Sequence, residues 1–231
     1  MTRRQLYSLL VCNLVMWTVG NGLVPLLPVY ATRLGADPAA AGYYLAFSYL
    51  ALAVGAVAAG WVSDRLQQRK MPLIVAGVAG VPLAWLAGRV GNISALTVLT
   101  ALLWFCGGLG LALVGILTGL SARENERGRT FGILSLTNGL GALIGGLAAG
   151  FIAERWGFPA MFTAVGVFTI LWPLAAAFVT EKQVKPQDLP VPQLPGGHHG
   201  PRASGCLDIP VALWPGHRPA HGFRVGQRDR W

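Results

Sequence analysis

Charged residues are scarce in this chain. They form 12% of its 231 residues, whereas a soluble domain typically carries about 25%. Hydrophobic residues account for 54%. Histidine is absent from most of the sequence, because all four copies lie at or after His198. This balance excludes an ordinary soluble domain and predicts a protein that is embedded in lipid.

Cysteine is also sparse, and its spacing argues against disulfide bonds and metal sites. Cys12, Cys106 and Cys206 form an odd set without the spacing of metal ligands, so we expect neither a disulfide framework nor a metal site. An intramembrane enzyme would need a nucleophile and a base at membrane depth, yet no histidine lies in an apolar run and no Gly-x-Ser-x-Gly motif occurs. We therefore expect no catalytic residues and no cofactor. An intramembrane enzyme is only a remote alternative.

Six long apolar runs dominate the rest of the chain. A helix needs about 20 residues to cross about 30 Å of hydrocarbon. The candidate spans contain no Asp, Glu, Lys, Arg or His, and they are residues 6–30, 41–62, 71–88, 93–120, 131–153 and 160–179. A β-barrel would show short alternating strands instead. The expected fold class is all-α, a polytopic membrane protein with six transmembrane helices.

The basic residues between these runs predict an orientation. One side of the membrane would hold Arg3, Arg4, Arg65, Arg69, Lys70, Arg123, Arg127, Arg129, Lys182 and Lys185. The other side would hold only Arg33, Arg89 and Arg155. Because cytoplasmic loops carry the excess of Lys and Arg, we expect a multi-pass protein of the plasma (inner) membrane with both termini in the cytoplasm. The net charge of +9 does not indicate a nucleic-acid partner, because these residues form no basic helix face.

The composition changes abruptly after the sixth run. Eight of the fifteen prolines lie beyond residue 179, together with the four histidines, His198, His199, His217 and His221. Proline lacks a backbone donor and clashes with the preceding helical turn, so this segment cannot continue a helix. We predict a six-helix transmembrane domain at residues 1–182 and a disordered Pro/Gly/His-rich tail at residues 183–231.

Four local patterns are similar to the N-terminal half of the major facilitator superfamily. They are the paired prolines of Gly20-Asn-Gly-Leu-Val-Pro25-Leu-Leu-Pro28, the loop from Gly60 to Lys70, the segment Glu126-Arg127-Gly128-Arg129-Thr-Phe-Gly132 and the link Glu154-Arg-Trp156-Gly157-Phe-Pro-Ala-Met-Phe162. The loop resembles the family signature G-x-x-x-D-R-x-G-R-R, although Gln67 and Gln68 replace a glycine and a basic residue. The resemblance covers roughly residues 5–182. It implies a transporter that moves a small solute by alternating access.

The resemblance also implies a conformational role for the loop. The candidate switch residues, with one from the fourth-to-fifth loop, are Gly60, Asp64, Arg65, Arg69 and Arg127. Asp64 can accept charge-assisted hydrogen bonds, and by resemblance it docks against the neighbouring half in one conformation. Arg127 is its candidate local partner. The alternative is a solvated loop that only enforces topology, because an exposed ion pair contributes about 0–1 kcal/mol.

Glycines recur at intervals of four in the fifth run. The candidate helix-packing positions are Gly141, Gly145, Gly146 and Gly150, a spacing that lets helices approach closely in lipid. Antiporters of the resembled family carry G-x8-G-x3-G-P-x2-G-G here, and this chain departs from it at Gly146 and Ala149. The match favours drug-type antiport and efflux. Proton coupling is disfavoured, because Trp104 stands about where those antiporters place an arginine and the spans hold no carboxylate.

One face of the first span could contact a substrate. Asn13, Trp17 and Asn21 are spaced by four and share a helix face, which should avoid lipid because polar groups are costly in hydrocarbon. Asn138 can face the same space, since the resemblance implies a central cavity lined by helices one, two, four and five. A cavity with amides and aromatics but no fixed charge favours neutral or lipophilic cationic solutes. The alternative is that these amides only bond neighbouring helices.

Two functions remain open from the sequence. In the first, the chain is a half-transporter whose partners are the lipid bilayer, a small-molecule solute and a second six-helix half or homodimer partner. Transport by alternating access needs two halves that rock about a midplane site. In the second, it is a truncated, transport-inactive fragment, because the proline-rich tail begins where a seventh span is expected.

Overall fold

The structure is a computed structural model that describes residues 2–66, 68–122 and 124–179. These residues form helices without any strand, which confirms the all-α fold class. The helices are α1 (Arg3–Leu23), α2 (Leu27–Arg33), α3 (Pro38–Leu66), α4 (Lys70–Ala87), α5 (Ile93–Ser121), α6 (Arg127–Thr169) and α7 (Leu171–Ala177), with a 3-10 turn at Glu124–Glu126. The predicted disordered tail lies outside the described residues, as do Arg123, Lys182 and Lys185.

The first crossing is interrupted where its two prolines lie. α1 ends at Leu23 and α2 begins at Leu27. Pro25 and Pro28 have no N–H group, so each removes one hydrogen bond that would continue the helix. Pro28 lies in the first turn of α2, where a missing donor is tolerated. The apolar run at residues 6–30 is therefore two helices with a break between them.

The longest helix, α6, is too long for one crossing. Its 43 residues would extend about 65 Å at 1.5 Å per residue, about twice the thickness of the hydrocarbon core. Gly157 breaks it with φ 81° and ψ 173°, a conformation that suits glycine because other residues clash there. Residues 127–156 are called the first segment of α6, and residues 158–169 the second segment. The break falls between the fifth and sixth predicted spans.

The chain reverses direction at Gly157. A Cβ built on Gly88, at the end of α4, would lie 3.3 Å from Cα of Pro159. At the start of α4, the Lys70 ammonium donates to the carbonyl oxygen of Ala177 at 2.7 Å. The second segment of α6 and α7 therefore run antiparallel to α4.

Five stretches of the described residues are long and apolar enough to cross a membrane. The last of them, Arg127–Ala177, covers 51 residues. Because this stretch folds back at Gly157, it supplies two crossings. The six predicted transmembrane helices are thus present in the described domain.

The first segment of α6 runs parallel to α1. Asn13 of α1 bonds Thr137 of α6, and further along both helices Gly22 lies against Gly145. We call this contact the α1–α6 seam. It is one of the two most extensive helix contacts in the domain.

The other extensive contact joins α3 and α5, which also run parallel. Tyr44 of α3 bonds Thr100 of α5, and further along Leu52 lies against Gly108. We call this contact the α3–α5 seam. Helix α4 packs against α5 and α6, and α7 packs against α1 and α4.

The two seams run in opposite directions. Gln5 near the start of α1 donates to the Ser121 hydroxyl at the end of α5, at 2.7 Å. All basic residues on the side that the sequence predicts as cytoplasmic, as far as they are described, therefore lie at one end of the bundle. This basic end carries Arg3, Arg4, Arg65, Arg69, Lys70, Arg127 and Arg129. The opposite end carries Arg33, Arg89 and Arg155.

Candidate functional site

Glycine lets the backbones of the α1–α6 seam touch. A Cβ on Gly22 would lie 2.8 Å from the carbonyl oxygen of Gly145, and a Cβ on Gly141 would lie 2.9 Å from the backbone nitrogen of Thr18. Gly145 packs against the carbonyl oxygen of Thr18. A side chain at any of these three glycines would push the two helices apart. Gly141 and Gly145 are two of the four packing glycines predicted from the sequence.

The other two predicted packing glycines lie elsewhere on α6. In the described part of the chain, no atom lies within 4 Å of a Cβ built on Gly146 or Gly150. Successive residues of a helix point about 100° apart, so Gly145 and Gly146 cannot both face α1. The α1–α6 seam therefore uses the pair Gly141 and Gly145 and not the pair Gly146 and Gly150.

Asn13 is engaged within the α1–α6 seam. Its side chain is 5% exposed, and its Nδ2 donates to the Thr137 hydroxyl at 2.6 Å and to the Leu134 carbonyl oxygen at 3.1 Å. The Thr137 hydroxyl in turn donates to the same carbonyl at 2.6 Å. These bonds satisfy a buried amide, because each polar group at membrane depth needs a partner. Asn13 binds the neighbouring helix and does not line the cavity described next.

An apolar cavity of about 210 Å³ lies between α1, α3, α5 and α7. Trp17 and Asn21 line it from α1, and their contact with a substrate stays a prediction. Its remaining walls are Val15, Met16, Val19, Gly20, Leu23, Val24, Tyr49, Leu52, Leu103, Trp104, Gly107, Leu111, Thr169 and Trp172. None of these described residues carries a charge.

Asn21 links the cavity to the α1–α6 seam. Its Nδ2 donates to Oδ1 of Asn138 at 3.3 Å. Asn138 is half-buried on α6 and is not part of the cavity wall. Of the four predicted cavity residues, the structure therefore brings Trp17 and Asn21 to the cavity, joins Asn138 to Asn21, and places Asn13 in the seam.

Three aromatic residues that sequence reasoning did not select complete the cavity. The rings of Tyr49 and Trp104 meet edge to face, with centroids 5.1 Å apart. Trp172 of α7 is 3% exposed and packs its ring against Gly110, while its Nε1 has no hydrogen-bond partner among the described residues. In the sequence, the one indication that Trp104 has a special position was its departure from the family pattern.

Four of the five candidate switch residues lie near the end of α3 and in the turn that follows. Asp64 and Arg65 are exposed, and the Arg65 guanidinium lies over the Trp61 ring at 5.2 Å. Arg69 Nε donates to the buried Ser63 hydroxyl at 2.7 Å, which ties the turn back to α3. The loop is therefore anchored through Arg69.

Gly60 and Arg127 stand apart from that anchor. A Cβ on Gly60 would meet no atom of the described residues within 4 Å. Arg127 is exposed at the start of α6. Because α3 packs on α5 while α6 packs on α1, Asp64 and Arg127 belong to different seams. Their pairing stays a prediction.

The fold agrees with the comparisons to known proteins. A family profile described as Major Facilitator Superfamily matches residues 9–224. The chain belongs to this superfamily of membrane transporters.

Individual relatives are more distant. Multidrug resistance protein MdtG of Salmonella arizonae is 29% identical over 165 residues, which are 69% of this chain and 40% of that protein. MdtG of Klebsiella pneumoniae is 27% identical over 169 residues, 71% of this chain and 40% of that protein. The chain thus spans about 40% of the length of these curated relatives.

Solved structures share the fold. A crystal structure of the peptide transporter POT in complex with sulfate matches 74% of this chain and 37% of its own, with a TM-score of 0.67 and 22% identity. The structure of the POT family transporter PepTSo matches 78% of this chain and 37% of its own, with a TM-score of 0.64 and 14% identity. At these identities the likeness establishes the arrangement of helices alone.

Proposed function

We propose that this chain is a six-helix half of a drug-type efflux transporter that moves neutral or lipophilic cationic solutes by alternating access. The observation that carries the proposal is the uncharged cavity, whose walls include Trp17, Tyr49, Trp104 and the amide of Asn21. The multidrug-resistance names of the relatives from Salmonella and Klebsiella support the same class of solute.

The chemistry of the cavity favours such solutes. Apolar walls take up lipophilic surface, and a few placed polar groups such as Asn21 fix orientation. Aromatic faces attract a cation by about 0.5–2 kcal/mol, more when water is excluded. An anion would find no basic side chain among the residues that form the walls.

A second six-helix body would complete the site. The cavity of about 210 Å³ is smaller than the roughly 300–1,000 Å³ of typical ligand pockets. Transporters of this kind bind their solute between two repeats near the midplane. We therefore place the partner, a homologous half or a second copy, beside the mouth of the cavity, with the bilayer covering the rest.

We also propose that the basic end faces the cytoplasm of a plasma (inner) membrane. This end carries seven described basic residues, at helix ends and in one connecting turn, whereas the opposite end carries three. The asymmetry follows the bias that orients helical membrane proteins. Asp64 would then lie on the cytoplasmic side, where the resemblance to the family places its switch role.

The test measures solute binding and efflux separately. The purified chain in lipid nanodiscs is titrated with ethidium, a lipophilic fluorescent cation. We expect saturable binding that Trp104→Ala weakens about tenfold, equivalent to about 1.4 kcal/mol. Trp61→Ala is the matched control, because Trp61 is 62% exposed and lies outside the cavity. Efflux is then measured in cells, with the chain alone and with a second six-helix half co-expressed.

The outcomes separate the two parts of the proposal. Binding that depends on Trp104, with efflux only when the second half is present, supports both. Binding that Trp104→Ala and Trp61→Ala weaken equally would remove the cavity as the site. Efflux by the chain as a monomer would remove the need for a second half.

A further inference from the structure

We propose that the groove between the end of α4 and the second segment of α6 binds one anionic phospholipid, with its phosphate at Arg89 and an acyl chain along the helix. The groove has a volume of about 810 Å³ and lies apart from the cavity. Arg89 lies at its head, and Val167, Phe168 and Leu171 line its far end. The inference does not depend on transport.

The head of the groove carries one positive charge, that of Arg89. Arg89 is exposed, and one of its guanidinium nitrogens donates to the Trp85 carbonyl oxygen at 2.8 Å. The guanidinium also lies 3.7 Å from the centre of the Trp85 ring. These contacts fix the group in place and leave further N–H donors of its five for a ligand. No other described residue bonds them.

A second feature at the head favours an anion. Gly157 breaks α6, so a new helix of residues 158–169 begins at the groove. Pro159 and Ala160, in its first turn, line the head. Pro159 itself has no N–H group, so this turn contributes the partial positive charge of a helix N-terminus. Gly88 packs against Pro159, which holds Arg89 beside this turn.

The body of the groove fits an acyl chain. From Pro159 to Leu171 the helix advances about 18 Å at 1.5 Å per residue. One leaflet is half of a hydrocarbon core about 30 Å thick, or about 15 Å. The lining residues between the ends are apolar apart from Thr163, whose hydroxyl is bonded to the Pro159 carbonyl oxygen at 2.7 Å. The groove therefore pairs a cation at membrane-surface depth with an apolar slot one leaflet long.

These dimensions favour a lipid over other ligands. A soluble anion would use the head and leave the apolar slot empty, and a neutral lipid would leave the guanidinium without a charged partner. Phosphate accepts charge-assisted hydrogen bonds from arginine in a fork geometry. A phospholipid with a net negative headgroup satisfies both ends at once.

The experiment uses the full chain purified into mixed phosphatidylglycerol and phosphatidylcholine nanodiscs, with retained lipids counted by native mass spectrometry. We expect one phosphatidylglycerol to be retained preferentially. Arg89→Gln should reduce that retention about fivefold to tenfold, and Arg89→Lys should reduce it less, because lysine keeps the charge but not the fork. Ala164→Phe should reduce it by filling the slot while leaving Arg89 intact.

Matched controls separate a built site from ordinary surrounding lipid. Arg155→Gln removes an exposed cation from the same end of the bundle, outside the groove. Ala142→Phe adds the same bulk on an exposed face of the first segment of α6. Both should retain phosphatidylglycerol as the parent chain does. Equal losses in Arg89→Gln and Arg155→Gln, or no preference for phosphatidylglycerol in the parent chain, would overturn the proposal.

Discussion

The α1–α6 seam and the α3–α5 seam both bring two helix backbones into contact, but they differ in their interhelical hydrogen bonds. In each, glycine on one helix meets backbone on the other: Gly145 meets Thr18 in the α1–α6 seam, and Gly108 meets Leu52 in the α3–α5 seam. The α1–α6 seam adds interhelical amide bonds through Asn13 and Asn21. The α3–α5 seam has the Tyr44–Thr100 bond.

The comparison separates a feature that both seams share from one that is confined to a single seam. Superfamily halves contain two inverted repeats of three helices, so the seam of crossings one and five corresponds to the seam of crossings four and two. Close backbone approach is common to both seams, which makes it a requirement of the fold. The interhelical amide bonds are concentrated on the α1–α6 seam, although both seams contribute residues to the cavity wall.

The largest expected effect comes from adding a methyl group to either seam. Gly145→Ala and Gly108→Ala would each force the new Cβ into a backbone carbonyl of the partner helix. Overpacking of this kind costs about 1–3 kcal/mol. We expect both variants to unfold at lower temperature in detergent, measured by circular dichroism.

The controls for this prediction are neighbouring glycines on the same helices. Gly146→Ala and Gly107→Ala would meet no described atom within 4 Å, and alanine favours a helix over glycine by about 0.5–1 kcal/mol. These variants should be unchanged or slightly stabilised. If Gly145→Ala were as stable as Gly146→Ala, close approach would not hold the α1–α6 seam.

A smaller effect is expected from the interhelical hydrogen bonds. Such bonds in membranes average about 0.6 kcal/mol and reach about 1.7 kcal/mol. Asn13→Leu removes two bonds from the α1–α6 seam and Tyr44→Phe removes one from the α3–α5 seam. We expect the larger loss of unfolding free energy for Asn13→Leu, measured by denaturant titration.

Thr97→Val is the control for the bonds between helices. The Thr97 hydroxyl bonds the Ile93 carbonyl within the same helix, at 2.8 Å. This variant should change stability less than Asn13→Leu. A loss in Thr97→Val as large as in Asn13→Leu would mean that any polar deletion suffices, and the contrast between seams would fail.

The smallest effect on stability is expected from substitutions of exposed charged residues at the basic end of the bundle. Asp64 lies in the last turn of α3 and Arg127 begins α6, and both are exposed. A pair between them therefore contributes at most about 1 kcal/mol to the free energy of unfolding. We nevertheless expect Asp64→Asn to lower efflux in the presence of a second half, with membrane insertion intact. A double-mutant cycle with Arg127→Gln measures whether the two residues are coupled.

Glu154→Gln serves as the charge-matched control for Asp64→Asn. Glu154 is exposed near the opposite end of the bundle, beside Arg155. Its replacement should leave efflux unchanged. Unaltered efflux in Asp64→Asn would remove the switch assignment, and additive stabilities in the cycle would remove Arg127 as the partner.

The sequence predicted the crossings because each depends on local composition. The absence of charge over about 20 residues specifies a span whatever its neighbours are. Gly157 lies between the predicted fifth and sixth spans, and its backbone conformation makes the break there. The break at Pro25 and Pro28 was not predicted, because the apolar run at residues 6–30 predicts one span. The predicted spans need no knowledge of which helix lies beside which.

The sequence could not predict contacts that depend on helix rotation. Gly145 and Gly146 are the same residue type and lie next to each other in the sequence. Of the two, only Gly145 contacts α1. Tyr49 and Trp104 belong to different helices, so their ring contact follows from the register of the α3–α5 seam. Cavity walls of this kind are determined by packing between distant parts of the chain.

The broken first crossing leaves two main-chain carbonyl oxygens of the cavity-wall residues without their usual helical donor. A helical carbonyl oxygen normally accepts from the N–H group four residues later. Those positions are Pro25 for Asn21 and Pro28 for Val24, and proline has no such group. Both Asn21 and Val24 belong to the cavity wall. Under the proposed efflux function, we therefore expect a solute with an ammonium or hydroxyl donor to bond these main-chain acceptors, in a cavity whose walls hold no carboxylate.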